Sequence, residues 1–348
     1  MMKNDRLPEL DGIRGIAVLM VILYHYFYRF GTDGFYPYPA INFFPFSHGF
    51  LGVHLFFLVS GFVIAMTLTH SKTPKEFFVK RFCRLWFPMI VCSLLTFLTL
   101  STVESSFTEA RRTSALGFIP SLTFTDPSIW KWLSPNINYI DGAYWSLFVE
   151  ARFYFWVALT YFSLKGRIFV LSFVCLSAFI WLSYAAFKFS GMKTAAFYVN
   201  FIFAAWYIPL FSAGLLFYEL HSGRLKSWTI PAILFFFLAS ILSQNDLVSA
   251  ITLTSFFVLF FAFIYKREWL GFLKNPALTC IGLISYSAYL LHQNIGVSII
   301  SVLPRDLEKI YLYASALLVA CTVLAGAYCI YFYVERKSSH ISKFLLSL

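Results

Sequence analysis

The sequence predicts an all-α, polytopic membrane protein with about ten transmembrane helices and no separate soluble domain. Three observations predict it. Hydrophobic residues make up 59% of the 348 residues and charged residues only 12%, about half the charged share of a soluble domain. The apolar residues come in unbroken runs long enough to span a bilayer, not in the alternating segments of about ten residues that build a barrel. The chain also carries 43 Phe, 21 Tyr and 9 Trp, the supply expected for lipid contact and for interfacial belts.

In order, the predicted spans are 12–31, 50–69, 86–103, 144–164, 167–187, 197–220, 228–244, 247–265, 279–303 and 310–333. An even number puts both termini on one side. The loops on that side, 70–85, 165–166, 221–227 and 266–278, hold Lys72, Lys75, Lys80, Arg81, Arg84, Arg224, Lys226, Lys266 and Arg267, and the tail adds Arg336 and Lys337. Positive loops face the cytoplasm, so both termini are expected there. The same placement accounts for the net charge of +11 without nucleic acid. The opposite connections, 32–49 and 104–143, are long and rich in Pro, Ser, Thr, Asn and aromatics, a composition suited to a polar substrate surface. The membrane domain is expected over 7–335, with 336–348 a short cytoplasmic tail. Six cysteines show no metal spacing and read as apolar packers rather than a disulfide framework. The first apolar segment is too long, and too charged at Arg14 and His25, for a cleavable signal peptide.

The first span carries the most informative pair. Arg14 stands at its start and His25 eleven residues later. Eleven residues is close to three turns, so both side chains share a face and are separated by about 16 Å along the axis. One face thus offers a permanent cation near one membrane surface and a titratable base deeper in. Ionisable groups inside a span are costly and mark function.

The second span begins Gly49-Phe50-Leu51-Gly52-Val53-His54 and continues to Ser60-Gly61. Its small residues read as close helix packing, and His54 as a candidate substrate contact near the outer mouth. Before the third span, Arg81 and Arg84 share a helix face at i, i+3. With Arg14 on the same side, their guanidinium forks suit a polyphosphate. The fourth span opens Tyr144-Trp145-Ser146-Leu147-Phe148-Val149-Glu150-Ala151-Arg152. Glu150 lies six residues in, about 9 Å deep, matching the depth of His25. Arg152 is two residues on and faces elsewhere, a poor partner for it. The ninth span carries Ser285-Tyr286-Ser287-Ala288-Tyr289-Leu290-Leu291-His292, with His292 also in the outer half. Helix–helix hydrogen bonding is the plain alternative for this polar cluster.

Together these segments resemble the acyltransferase-3 family of bacterial membrane acyltransferases, over essentially the whole chain. The most specific element is Arg-x10-His, here Arg14 and His25 within Leu-Asp-Gly-Ile-Arg-Gly-Ile-Ala. Supporting elements are Gly-Val-His-Leu-Phe-Phe-Leu-Val-Ser-Gly-Phe, the Arg81-x-x-Arg84 pair, Trp145-Ser-Leu-x-x-Glu150, and Ser285-Tyr-Ser-x-Tyr-Leu-x-His292. The resemblance implies transfer of an acyl group, usually acetyl, from acyl-CoA to a hydroxyl of a surface glycan or its lipid-linked precursor, in the bacterial inner membrane. Some members append an extracytoplasmic esterase-like domain; this chain ends too soon for one, so transfer is expected to finish in the membrane domain.

On that reading Arg14, Arg81 and Arg84 hold the phosphates of acetyl-CoA, and His25 works with Glu150 in catalysis. His54, Trp145, Tyr286 and His292 contact substrate, and no metal takes part. His25 acts either as general base, oriented by Glu150, or as a transient acyl carrier; sequence leaves both open. A transporter or flippase for lipid-linked saccharides is the rival class, since it too needs many spans and intramembrane charges. A scaffold subunit of an envelope complex is a third.

Overall fold

The computed structural model describes residues 7–164 and 167–347. Every regular element among them is helical, with no strand. Seven helices are long and apolar enough to cross a membrane: Pro8–Thr32, Gly49–Thr69, Pro74–Thr102, Ile168–Phe189, Lys193–His221, Leu247–Tyr265 and Lys309–Ser347. Each overlaps a predicted span. The three other predicted spans are helical in a different way. Trp145–Ser163 carries Glu150 and Arg152, Thr229–Leu242 has only 14 residues, and 279–303 is broken into Pro276–Leu283, Ser285–Leu291, a π-helical turn, His292–Gly296, and Val297–Ser301. The predicted 165–166 loop lies outside the described residues. The predicted tail is itself helical, over Arg336–Ser347.

The chain forms two compact units. The first comprises Met1–Gly52, Val79–Phe148 and Pro276–Leu348; the second comprises Val53–Phe78 and Val149–Asn275.

The first unit is built on the helix Pro8–Tyr24. Proline at its first position needs no donor there, and Glu9 and Asp11 in the first turn suit the positive end of the helix dipole. Glycines let neighbours come close on two sides. A Cβ on Gly15 would meet the Leu278 carbonyl oxygen at 2.5 Å, and one on Gly282 would run into Asp11 O. A Cβ on Gly49 would strike Met20 O, and one on Gly52 would strike Ala17 O. Backbones this close bring carbonyl dipoles and side chains of different segments into one dry site.

Three π-helical turns interrupt the helices of this unit: His25–Arg29, His292–Gly296 and Tyr331–Glu335. Such turns widen the helix and displace backbone groups from their usual partners, and a membrane interior supplies no water to replace them. Tyrosines do so here. Tyr36 donates to His25 O at 2.8 Å, Tyr38 to Tyr26 O at 2.8 Å, and Tyr26 to His292 O at 2.9 Å. Burial pushes the Tyr36 and Tyr38 hydroxyls well above the usual phenol range, so both stay donors.

In the second unit, Gly61 and Gly214 let Gly49–Thr69 lie directly on Ile208–His221: a Cβ on Gly61 would strike Phe211 O, and one on Gly214 would strike Leu58 O. Phe153 stacks on Phe211 at 4.2 Å. Ile180, Trp181, Ala205, Ile208 and Ala239 form a further apolar core. The Lys193–His221 segment is interrupted at Ala204, in the left-handed region (φ 52°), where its first helix, Lys193–Phe203, ends before Ile208–His221. The last carbonyls of that first helix, of Asn200 and Phe201, accept from the Arg152 guanidinium. Arg152 is thus engaged at a helix end.

Candidate active site

His25 and His292 each open a π-helical turn, and the two rings meet edge-on with centroids 4.8 Å apart. The hydrogen bonds fix how the protons are placed. A backbone carbonyl only accepts, so His292 Nδ1, 2.7 Å from Tyr289 O, carries a proton and its Nε2 is the bare acceptor. His25 Nδ1 lies 2.8 Å from Val21 O and 3.2 Å from that His292 Nε2. Its N–H is shared between the two, which leaves His25 Nε2 with the ring's lone pair. His292 is fully buried, whereas His25 is half-buried. The arrangement is a neutral imidazole with a basic nitrogen turned away from a second imidazole that steadies its other side.

Residues 140–146 brace this pair. The Tyr289 hydroxyl donates to Ala143 O at 3.1 Å and accepts from Ser146 Oγ at 2.9 Å. Asp141, fully buried, accepts from the backbone N–H groups of Ala143 and Asn294, both at 2.8 Å. Asn294 Nδ2 donates to Ile140 O at 3.0 Å. Two bonds therefore tie the 140–144 segment to the turn that presents His292. Burial pushes the Asp141 carboxyl up to about 7, against the pull of those N–H groups and of the Arg111 charge.

The arginines predicted for phosphate binding fall in the same unit. Arg14 and Arg84 both act electrostatically on Glu335, a carboxylate that is 8% exposed and accepts from Ser287 Oγ at 3.2 Å. Arg81 is buried. Pro88 lies inside the helix that carries Arg81 and Arg84, and the Tyr286 hydroxyl donates to Leu85 O, one residue from Arg84, at 2.8 Å. Tyr286 is thus tied to the helix that carries the two arginines. Trp145 is 38% exposed at the head of its helix, next to Ser146.

Glu150 and His54 belong to the second unit. Glu150 accepts from Ser60 Oγ at 2.6 Å and from the Tyr154 hydroxyl. His54 is buried, its ring edge-on to Tyr207 at 5.5 Å. Sequence reasoning paired His25 with Glu150; within the first unit the structure sets the His292 ring against that of His25. It passed over Asp141 and Glu335. The signals for them were faint: an Asp-Gly just ahead of Tyr144-Trp145, and a lone acid at the end of the last apolar run before Arg336-Lys337.

The sequence model of the acyltransferase-3 family, an acyltransferase domain, matches residues 7–335. The chain belongs to the acyltransferase-3 family. Among curated proteins it is similar to the peptidoglycan O-acetyltransferase OatA of Listeria monocytogenes serovar 1/2a, 28% identical over 161 residues that cover 42% of this chain and 23% of the relative. It is also similar to the O-acetyltransferase OatA of Staphylococcus aureus strain NCTC 8325, 31% identical over 164 residues, with 42% of this chain and 23% of the relative covered. The chain therefore spans less than a quarter of the length of these curated relatives. No solved structure matches it. The first unit thus holds a histidine pair with fixed tautomers and, apart from it, two arginines acting on a buried carboxylate.

Proposed function

We propose that this multi-pass membrane protein is an O-acyltransferase, most simply an O-acetyltransferase, that moves an acyl group from cytosolic acyl-CoA to a hydroxyl of a cell-surface polysaccharide or its lipid-linked precursor. The observation that carries the reading is the His25–His292 pair with its bare His25 Nε2. Membership of the acyltransferase-3 family and similarity to two proteins named O-acetyltransferases support it. The printed acceptor of one relative, peptidoglycan, supports a glycan acceptor here.

The chemistry follows from the tautomer. His25 Nε2 takes the proton of the acceptor hydroxyl as its oxygen attacks the thioester carbonyl. The imidazolium that forms keeps its Nδ1–H on Val21 O and His292 Nε2, two acceptors that stabilise the positive ring. Collapse of the tetrahedral intermediate breaks the C–S bond. The departing CoA thiolate recovers the proton from Nε2, and the ester remains on the acceptor. Arg14, Arg81 and Arg84 hold the CoA phosphates, and Glu335 keeps Arg14 and Arg84 in place before CoA arrives. Glu150 is a second catalytic candidate, held by Ser60 and Tyr154; His54 and Trp145 contact the acceptor.

The test is acyl transfer and CoA binding by purified variants matched for folded protein. A general base contributes about 10²–10⁴ in rate, so His25→Ala should lose nearly all transfer and still bind CoA. Arg81→Gln should weaken CoA binding and leave folding intact. If Glu150 acts with His25, the double variant should be little worse than His25→Ala alone. Near-normal turnover in His25→Ala would sink the mechanism, and multiplicative losses in the double variant would make Glu150 an independent, non-catalytic group.

A further inference from the structure

Arg29 closes the π-helical turn that His25 opens, and Phe30 follows it. Phe30 is 3% exposed, and its ring centroid lies 5.6 Å from that of His25. Two guanidiniums sit over this same ring: Arg29 Cζ at 5.7 Å from the centroid and Arg111 Cζ at 5.9 Å. The place of Arg111 is set by its own short helix, Ser106–Arg111. Ser105 caps that helix with a reciprocal pair of bonds to Thr108. Phe107, fully buried, meets Phe30 edge-on at 5.2 Å, and Arg111 lies one turn further along the same face. Both cations are therefore one aromatic ring away from the proposed base.

Their charge is only partly matched. Asp33 pairs with Arg29 at 2.5 Å, with both side chains open to solvent, 30% and 40% exposed. Arg111 is exposed. The acid that acts on Arg111 is Asp141, which is fully buried and, with its carboxyl pushed up to about 7, only part-ionised at neutral pH. Contact of the guanidinium faces with an aromatic ring leaves their N–H edges available to an oxyanion. A role as plain interfacial anchors would ask only for basic residues at a span end. It does not call for two from separate segments over one buried ring against the base.

We propose that Arg29 and Arg111 bind an anionic group of the glycan acceptor, a phosphate or a carboxylate, and so determine which hydroxyl is presented to His25. The proposal rests on the reading that an acceptor hydroxyl approaches His25 Nε2. It narrows the acceptor to a charged glycan, and it makes the two arginines specificity determinants remote from the reacting atoms.

The test is binding by the purified full-length chain in a neutral detergent. The probes are N-acetylglucosamine 1-phosphate, glucuronic acid and neutral N-acetylglucosamine, with CoA titrated in parallel. Wild type should bind at least one charged sugar about tenfold more tightly than the neutral one, the size of one charge-assisted hydrogen bond. The phosphate and carboxylate probes show which oxyanion fits. Arg29→Gln and Arg111→Gln should each remove most of that preference and leave CoA affinity unchanged; Arg111→Lys, which keeps the charge but not the fork, should fall between. Equal affinity of wild type for all three sugars would overturn the proposal, as would a preference that survives both glutamine variants. So would arginine-dependent binding of phosphatidylglycerol with no sugar preference, which would make the pair a lipid anchor. Because the readout is binding, a failure to find acyl transfer would count against the proposed activity and leave this result to be judged separately.

Discussion

A neutral histidine has one proton to place, and at His25 two acceptors, Val21 O and His292 Nε2, hold it on Nδ1. The sequence marked both histidines as costly residues in the outer half of a span. It could not show that they meet. Equal depth, counted along helices, paired His25 with Glu150, but depth fixes only the axial coordinate; that the His25 ring also meets His292 depends on packing. Asp141 was invisible for a related reason. An acid in a polar loop looks solvated until the fold closes over it, and here it is fully buried with a carboxyl pushed up to about 7. Around it stand Arg111, Tyr26, Tyr144 and Cys92. The sign follows from linkage. A carboxyl whose folded pKa is raised binds protons more tightly folded than unfolded. Its contribution to stability is therefore greatest at low pH and is lost as pH climbs from the ordinary carboxylate range through about 7. Thermal unfolding in detergent at about pH 5 and about pH 7.5 should show the wild type losing stability across that window. Asp141→Asn should lose less. Equal losses in the two proteins would mean that Asp141 does not titrate there.

At the scale of elements, the helices were legible because long apolar runs leave little choice, and seven of the ten predicted spans coincide with long apolar helices. The breaks were not. Nothing in His25-Tyr26-Phe27-Tyr28-Arg29 announces a π-helical turn, since it contains no Pro or Gly, and His292–Gly296 has only the glycine at its end. What permits the break is non-local: hydroxyls of Tyr36, Tyr38 and Tyr26 arriving from elsewhere to take up displaced carbonyls. The glycines were half-legible. Gly52 and Gly61 were read as packing residues, while the tightest approach of backbone to backbone, Gly282 on Asp11, was not foreseen. A side chain at Gly282 meets backbone, which cannot swing aside as a flexible side chain can. Gly282→Ala should therefore destabilise the protein by about 1–3 kcal/mol or more, the usual cost of overpacking. Gly271→Ala, where a Cβ meets nothing within 4 Å, should change stability little. Urea or thermal unfolding of the two variants decides it: similar losses would show that the close approach of the first helix to Pro276–Leu283 is not tight in solution.

For the molecule as a whole, orientation in the membrane is the property on which the proposed chemistry depends, because acyl-CoA is cytosolic and surface glycans are completed outside. Positive residues near span ends are retained in the cytoplasm. Lys72, Lys75, Lys80, Arg224, Lys226, Lys266 and Arg267 gather on the loops assigned to one side, and Arg336 and Lys337 join them on the C-terminal helix. On that assignment Arg14, Arg81 and Arg84 would share the positive side, and the 104–143 connection, with Asp141 and Arg111, would take the other. The expectation is that both termini are cytoplasmic and the 104–143 connection is outside. Cysteine labelling in intact cells tests it, in a background with Cys83, Cys92, Cys175, Cys280, Cys321 and Cys329 replaced. Ser114 and Ser347 are both exposed, so a cysteine at either is reachable by reagent on its own side. An impermeant maleimide should label Ser114→Cys in intact cells and Ser347→Cys only after permeabilisation. The reverse pattern would put the arginine cluster outside, away from cytosolic CoA, and would remove the physical basis for a donor site at Arg14, Arg81 and Arg84. Labelling of both in intact cells would place the termini on opposite sides from the expected parity, and the number of crossings would then be odd.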